Sequence, residues 1–448
     1  MNSAVTQKPM DKVELEKLCR DVLDEAGRRG ADQAEVAASH SLGLSATARL
    51  GDVENLEYTN DRGIGITVYF GQRKGSASTS DLTAAALREA VAKACTFAEH
   101  TAVDKFAGLA DAELMASEIP DLDLDHPWEI DAQQAIALAI ETEAAALGFD
   151  QRIRNSEGAT VATSRGARAY ANSHGFVGSF EKTSHSLSCA VVSEADGEMQ
   201  RDYWYSVARN AVELEAGELV GKKAAKRAVA RLGARKIKTT RAPVLYIPEL
   251  ARGFIGHALN AISGGAQYRK SSFLLAAAGE KIFPSFLQIE ERPHLRGAMA
   301  SAPYDAEGVA THDRNIVSDG VLQGYVLSAY SARRLGLTTT GNAGGVHNAI
   351  VPGNCAGQAD LIAMMGTGLM VCELIGQGVN AVTGDYSRGV VGFWIENGEI
   401  AYPVHEVTIA GNLRELYQRI AGIGNDQDTR GAIRCGSLLV ESMTIAGA

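Results

Sequence analysis

The six cysteines, Cys19, Cys95, Cys189, Cys355, Cys372 and Cys435, include no C-x-x-C pair. That scatter excludes a zinc ribbon and argues against a disulfide framework, so reduced thiols are expected. No apolar run is long enough to cross a bilayer: the longest, Leu361 to Cys372, is short and contains two glycines, which argues against a membrane role. Residues 1–10 are polar and lack the apolar core of a signal peptide, so a disordered N-terminus and a cytoplasmic chain are expected. Positive charge is scarce, with 43 Lys and Arg against 54 Asp and Glu and a net charge of −11. A nucleic-acid partner is therefore not expected. The basic run Lys222, Lys223, Lys226 and Arg227 is predicted to be the solvated face of a helix. Two site signatures are missing as well. There is no G-x-S-x-G elbow, and Asp121-Leu122-Asp123-Leu124-Asp125 lacks the glycine and terminal glutamate of a calcium loop.

What is present is a 448-residue chain, 46% hydrophobic and 22% charged, with ample material for a soluble core in two or three domains. An α+β architecture is predicted. Apolar spacing gives a helix over 11–29, short strands over 35–79 and a helix from Asp81 to about Glu99. The same order returns as a helix from Pro127 to Leu147, strands over 152–207 and a helix over 212–232. The N-terminal half therefore reads as two helix–β-meander–helix units, 11–108 and 127–240, joined by a solvated acidic linker at 109–126. Turns are expected at Asn60–Gly63, Gly71–Gly75, Ser164–Gly166, Ser173–Gly175 and Ala195–Gly197. His174 and His185 are expected at surface or cross-strand positions. From 241 to 448 glycine is dense and strands are short, which predicts a β-rich domain with a few helices near 249–262, 271–278 and 330–335.

The stretch Pro248-Glu249-Leu250-Ala251-Arg252-Gly253-Phe254-Ile255-Gly256-His257 follows an apolar strand and opens on the proline favoured in a first helical turn. A zinc helix of the His-Glu type needs two histidines on the metal and a glutamate to activate water. Here Arg252 stands at the first ligand, Gly253 at the base, and His257 alone survives. This is the frame of a metallopeptidase site without its chemistry. Further on, Gly341-Asn342-Ala343-Gly344-Gly345-Val346-His347 is glycine-rich but lacks the spacing of a phosphate loop, and fits a close backbone approach better. A Cys–His nucleophile or a dispersed metal site would have to draw on Cys355, Cys372, Cys435 and His257, His294, His312, His347, His405, with no spacing to support either. Cys372 lies in an apolar run and reads as an inert buried thiol.

Several long stretches of the second half carry a more specific signal. They are Tyr268–Leu275, Ser328–Gly336, Thr340–Gly345, Glu373–Gly389, Phe393–Ile400 and Thr408–Leu413. Together they closely resemble the TldD/TldE (PmbA) peptidase family, from about residue 12 onward and most strongly after Arg241. The resemblance implies a heterodimeric zinc metallopeptidase in which a TldD-like subunit carries the His-Glu-x-x-x-His helix. It also implies unfolded peptide substrates, with roles in trimming peptide-antibiotic precursors and degrading antitoxins. Only His257 matches the zinc helix, so the chain resembles the TldE side, with no metal or cofactor of its own and zinc in the partner. The family's C-terminal ligand cysteine is not transferred to Cys435. Arg252, His257, Asn342, Gly344, Gly345 and His347 are the peptide-binding candidates, since a glycine-dense, strand-rich domain suits extended peptide. A homodimeric peptide-binding protein without catalysis is the alternative. A third reading, an unorthodox metal site on His257, would require stoichiometric zinc in the isolated chain.

Overall fold

The computed structural model describes residues 8–447. Residues 1–7 of the expected disordered N-terminus lie outside the described residues. The first half holds α1 (Lys12–Arg28), β1 (Gln33–Arg49), β2 (Asp52–Phe70), β3 (Arg73–Thr79) and α2 (Ala84–His100). The same order then repeats as α3 (Ala132–Leu147), β4 (Ile153–Asn172), β5 (Val177–Ala195), β6 (Glu198–Ala208) and α4 (Gly217–Ala230). The two meanders join through β1 and β4 into one six-stranded antiparallel sheet, ordered β3-β2-β1-β4-β5-β6. The repeat seen in the element order is thus an internal two-fold relation across one sheet.

Alternation along the strands explains why this sheet has two different faces. Ala34, Val36 and Ala38 of β1 bury against α1 and α2, while Leu44, Ala46 and Ala48 of the same face bury against α3 and α4. The opposite face presents Glu35, Ala37 and Tyr170 to the second half of the chain, where Tyr304 packs edge-on to Phe176 at 5.2 Å. Small residues set the helix spacing. At Gly221 of α4 an added Cβ would sit 2.2 Å from the carbonyl of Thr142 in α3.

Five local expectations are corrected. Asn60–Gly63 and Ser164–Gly166 are not turns but lie inside β2 and β4, which run 19 and 20 residues. Continuous ladders with β1 override the local turn propensity there. The helix expected from Pro127 starts at Ala132, because Asp131 and Gln134 form a reciprocal capping box. The 271–278 stretch is not helical: Lys270 and Ala276 adopt positive φ, and the buried Gln267 side chain takes up the Leu274 carbonyl and the Ala276 N–H. His185 takes the cross-strand position expected of it, buried opposite Thr163, its two ring nitrogens meeting the Thr163 hydroxyl at 2.8 Å and the His126 carbonyl at 2.9 Å. His174 is exposed, as expected.

The fifth correction concerns 109–126, expected to be a solvated linker. It is a packed strap. Leu109, Ala110, Leu122 and Leu124 are buried, Asp125 forms a two-bond pair with Arg165, and the Ala310 N–H donates to the Leu114 carbonyl. Its acidic residues had suggested solvent, but alternate leucines between them turn inward.

The second half contains β7 (Thr240–Tyr246), α5 (Pro248–Ala261), α6 (Gly264–Tyr268), β8 (Ile289–Glu291), β9 (Arg314–Ser318), β10 (Val321–Leu322), α7 (Ala329–Leu335) and β11 (Ala349–Ile350). It continues with α8 (Gln358–Met365), β12 (Gly368–Ile375), β13 (Asp385–Glu396), β14 (Glu399–Asn412), α9 (Leu413–Gln418), β15 (Ile420–Ile423), β16 (Ile433–Arg434) and β17 (Leu438–Ala446). One sheet runs β14-β13-β12-β7-β17-β15, and β14 also pairs with β17, so the ring of strands closes on itself. Closure removes the exposed edges that a short-stranded sheet would offer. A smaller sheet, β10-β9-β8-β11-β16, packs beside it. No helix among the described residues is long and apolar enough to cross a membrane.

Gly221→Ala should lower unfolding free energy in urea by about 1–2 kcal/mol, because backbone contact outweighs a helix-propensity gain of about 1 kcal/mol. An unchanged or raised stability would contradict the α3–α4 packing.

Candidate functional site

α5 is held as a rigid platform from beneath. Pro248 takes its first position, and Ala251, Phe254, Ile255, Ala258 and Leu259 face the core at helical spacing. Phe254 stacks on Tyr246 of β7 at 5.0 Å and meets Tyr417 edge-on at 5.2 Å, while its carbonyl accepts the Tyr417 hydroxyl. The outward face therefore carries Glu249, Arg252, Gly253, Gly256, His257 and Asn260.

Arg252 is not a loose cation. Its guanidinium donates to the Tyr205 hydroxyl on β6 at 2.8 Å and lies 3.3 Å from Asp428, whose side chain is 1% exposed. Burial alone would raise the Asp428 carboxyl; hydrogen bonds from Arg430 and the Arg252 charge hold it below the usual carboxylate range. Arg430 in turn caps the Tyr205 and Trp204 rings at 4.2 and 4.6 Å. Glu249 joins Arg227 of α4 at 3.2 Å, Arg227 joins Asp202, and Asp202 joins Arg231 at 2.8 Å. The N-terminal half of α5 is thereby stitched to β6 and α4 by a chain of partly buried ion pairs.

The remainder of that face is open or closely overlaid. A Cβ built on Gly253 meets nothing within 4 Å, whereas one on Gly256 would lie 3.3 Å from Ile433. His257 is half-buried, 6.1 Å from the Tyr386 ring, and burial followed by the Arg388 charge pushes its pKa down, so it is neutral at pH 7. A zinc ion does not fit this set. The first ligand position holds a cation already paired with Asp428, the base position has no side chain, and no group of three metal-ligating side chains gathers among the described residues. Cys372 and Cys435 offer no alternative nucleophile: burial pushes Cys372 up to about 12 and raises Cys435 further.

The glycine-rich loop lies elsewhere. Glu291, 2% exposed, accepts from the Asn342 amide at 2.7 Å, the His347 N–H at 2.6 Å and the Arg314 guanidinium at 2.6 Å. Asn342 is thus occupied in holding the loop, and the buried Nε2 of His347 has no hydrogen-bond partner. Gly344 and Gly345, with φ of 105° and 113°, take a backbone conformation that suits glycine. Gly344 lines a cleft of about 650 Å³ between this loop and the sheet face of β1, β2 and β3. Neither Arg252 nor His257 lines that cleft, so the structure separates the sequence-derived candidates into two places.

Sequence reading missed the cleft's ionisable pair. Glu35 accepts the hydroxyls of Tyr69 and Tyr170 at 3.1 and 2.8 Å, and Glu307 accepts the Ala329 N–H at 2.8 Å. Burial, with Asp305 and Glu35 nearby, pushes Glu307 up to about 7. Alternation does place Glu35 off the helix face of β1, which was the available signal; nothing near Glu307 distinguished it.

Two outcomes are expected. Arg252→Met should cost about 1–3 kcal/mol in denaturant unfolding, since Asp428 keeps Arg430 but loses one charge partner; an unchanged midpoint would contradict the clamp. Glu307 has a folded pKa above its unfolded value, so its contribution to stability is full below about pH 4.5 and declines as pH rises through 7. Glu307→Gln should therefore flatten the melting temperature between pH 5 and 8, and an identical pH profile would contradict the assignment.

Comparison with known proteins agrees with this architecture. Residues 34–98, 125–232 and 239–447 match, in turn, domain 1, the central domain and the C-terminal domain of the PmbA/TldA metallopeptidases. The chain is 47% identical to metalloprotease PmbA of Escherichia coli O157:H7, covering 99% of this chain and 100% of that protein. It is 45% identical to a PmbA homolog of Haemophilus influenzae over 100% of this chain and 99% of the relative. A Bacteroides thetaiotaomicron structure bearing the name of a candidate DNA gyrase modulator superposes with a TM-score of 0.92 at 28% identity, covering 97% and 99% of the two chains. TldE from Thermococcus kodakarensis shares the fold, with a TM-score of 0.82 at 19% identity over 96% and 100%. On the full-length match of sequence and domain order, this chain belongs to the PmbA/TldD metallopeptidase family.

Proposed function

We propose that this chain is the TldE-like, non-catalytic subunit of a cytoplasmic zinc metallopeptidase. A TldD-like partner would supply the metal and the general base. The observation that carries this reading is the fate of the first ligand position: Arg252 is locked between Tyr205 and Asp428, beside an empty Gly253. A cation fixed there cannot ligate Zn²⁺, and a glycine cannot deprotonate water. What the chain offers instead is wall and platform. The cleft beside Gly344 is lined by polar strand residues such as Thr67 and Ser76, and by β3, the outer strand of its sheet, which suits an extended peptide held by main-chain hydrogen bonds. Such a site favours unfolded segments over folded domains, because few free strand edges are exposed on the latter. Peptide-antibiotic precursors and small antitoxins are the substrate classes this reading implies.

The test is cleavage of an unfolded peptide by the chain alone and after mixing with a TldD-like subunit. No cleavage alone and chelator-sensitive cleavage in the mixture are expected. Metal-dependent cleavage by the chain alone would overturn the proposal.

A further inference from the structure

The face of the first sheet that is turned toward the second half of the chain carries a group of three cations, Arg168, Lys182 and Arg209. Ala167 and Ala169 of β4, and Leu187 and Cys189 of β5, pack toward the helices. Alternation therefore turns Arg168, Phe180 and Lys182 to the other side, where Phe180 meets Tyr304 edge-on at 5.8 Å. Phe180 stands opposite Arg168 and Gly166 opposite Lys182, so the two cations are diagonal neighbours across β4 and β5. Arg209, just past β6 and 5% exposed, completes the group. Its guanidinium donates to the Thr183 carbonyl and, at 2.6 Å, to the Met299 carbonyl, and its Nε has no partner.

Neighbouring cations find carboxylates. Arg165 of β4 pairs with Asp125 and Glu181, and Arg201 of β6 pairs with Glu157. Among the described residues, no carboxylate oxygen comes within 4.0 Å of Arg168, Lys182 or Arg209. Residues 1–7 and Ala448 have no acidic side chain to add. Burial alone lowers the Arg209 pKa. Protein packed around Lys182, followed by the Arg209 and Arg168 charges, lowers that of Lys182, and no carboxylate opposes either shift. A buried guanidinium normally has a counter-charge, because desolvating an unpaired charge is strongly unfavourable. The floor beside the group is open. Ser39 and Ser41 of β1, Ser164 and Gly166 of β4 and Ser184 of β5 share this face, and none is long enough to cover the cations.

We propose that Arg168 and Lys182, with the Arg209 charge behind them, bind a carboxylate of an extended peptide lying on this face, from an acidic side chain or the C-terminus. The inference deepens the proposed peptide-binding role and rests on it. Tyr170, which lines the cleft beside Gly344, is two residues from Arg168 on the same face of β4. A peptide leaving the cleft along β4 therefore reaches the cations within about 7 Å. Charge complementarity selects the occupant. With a net charge of −11 the chain repels acidic peptides in general, and this patch has the opposite sign. A carboxylate there supplies the counter-charge that the chain itself withholds. The cleft carboxyls Glu35 and Glu307 repel the same group, which places it at the Arg168 end.

Fluorescence anisotropy of the full chain with three labelled, unfolded peptides tests it. One carries two aspartates and an amidated C-terminus, the second has asparagine in their place, and the third is the second with a free C-terminus. At least one of the two anionic peptides should bind about tenfold more tightly than the neutral one, and which of them does so identifies the source of the carboxylate. The preference should fade as salt is raised. Lys182→Glu should reverse it and Arg168→Gln should shrink it about threefold, with binding of the neutral peptide unchanged. The melting temperature of Lys182→Gln should not fall, because one of three crowded cations is removed; a fall would reveal an internal partner and overturn the inference. Equal binding of all three peptides, or a preference indifferent to Lys182→Glu, would overturn it and leave the peptide-binding role standing. Binding of none would overturn both, while cleavage by the mixture with a TldD-like subunit reports separately on the peptidase role.

Discussion

The ion-pair chain from Arg231 through Asp202, Arg227 and Glu249 to Arg430, Asp428 and Arg252 is the constraint on which the site depends. It crosses from α4 and β6 to α5, and so fixes the platform helix relative to the first sheet. Taken one at a time, exposed ion pairs contribute little. Here the decisive carboxylates, Asp202 and Asp428, are 2% and 1% exposed, and each serves two guanidinium groups. Two cations per buried carboxylate offset its desolvation and hold Asp428 ionised. Arg252 is thereby a structural joint between α5 and the first sheet.

That joint holds the outer face of α5, while its inner face rests on apolar packing. Phe254, Tyr246 and Tyr417 preserve the seat of α5, which needs only apolar packing. The outer face carries the Arg252 clamp and, beside it, the open space at Gly253. The cleft at the β1–β3 end of the first sheet is built differently. It is lined by loop backbone at Gly344 and by the carboxyls Glu35 and Glu307, and the strap at 109–126 sews its two walls together.

Much of this was legible in the sequence where local pattern and tertiary structure agree. The doubled helix–meander–helix order, the start of α5 at Pro248 and the absence of a histidine at 252 were all readable. Local signals failed where long-range pairing overrules them: Asn60–Gly63 has turn residues yet sits in a ladder with β1. The strap is hard to read from sequence because its six acidic residues outnumber the three buried leucines, Leu109, Leu122 and Leu124, that anchor it. For the site, residue types showed what α5 lacks, but not that Arg252 would be captured by Asp428, 176 positions further along the sequence. Nor could they show that Asn342 is consumed by Glu291, or that Glu35 and Glu307 meet across two halves of the chain.

The most direct test of the central claim is a calorimetric titration of the isolated, metal-free chain with Zn²⁺. If Arg252 is a structural joint and the α5 face has lost its ligand set, no stoichiometric binding should appear between pH 6 and 8. One tightly bound zinc per chain, abolished by His257→Ala, would contradict the account and restore α5 as a metal site in its own right.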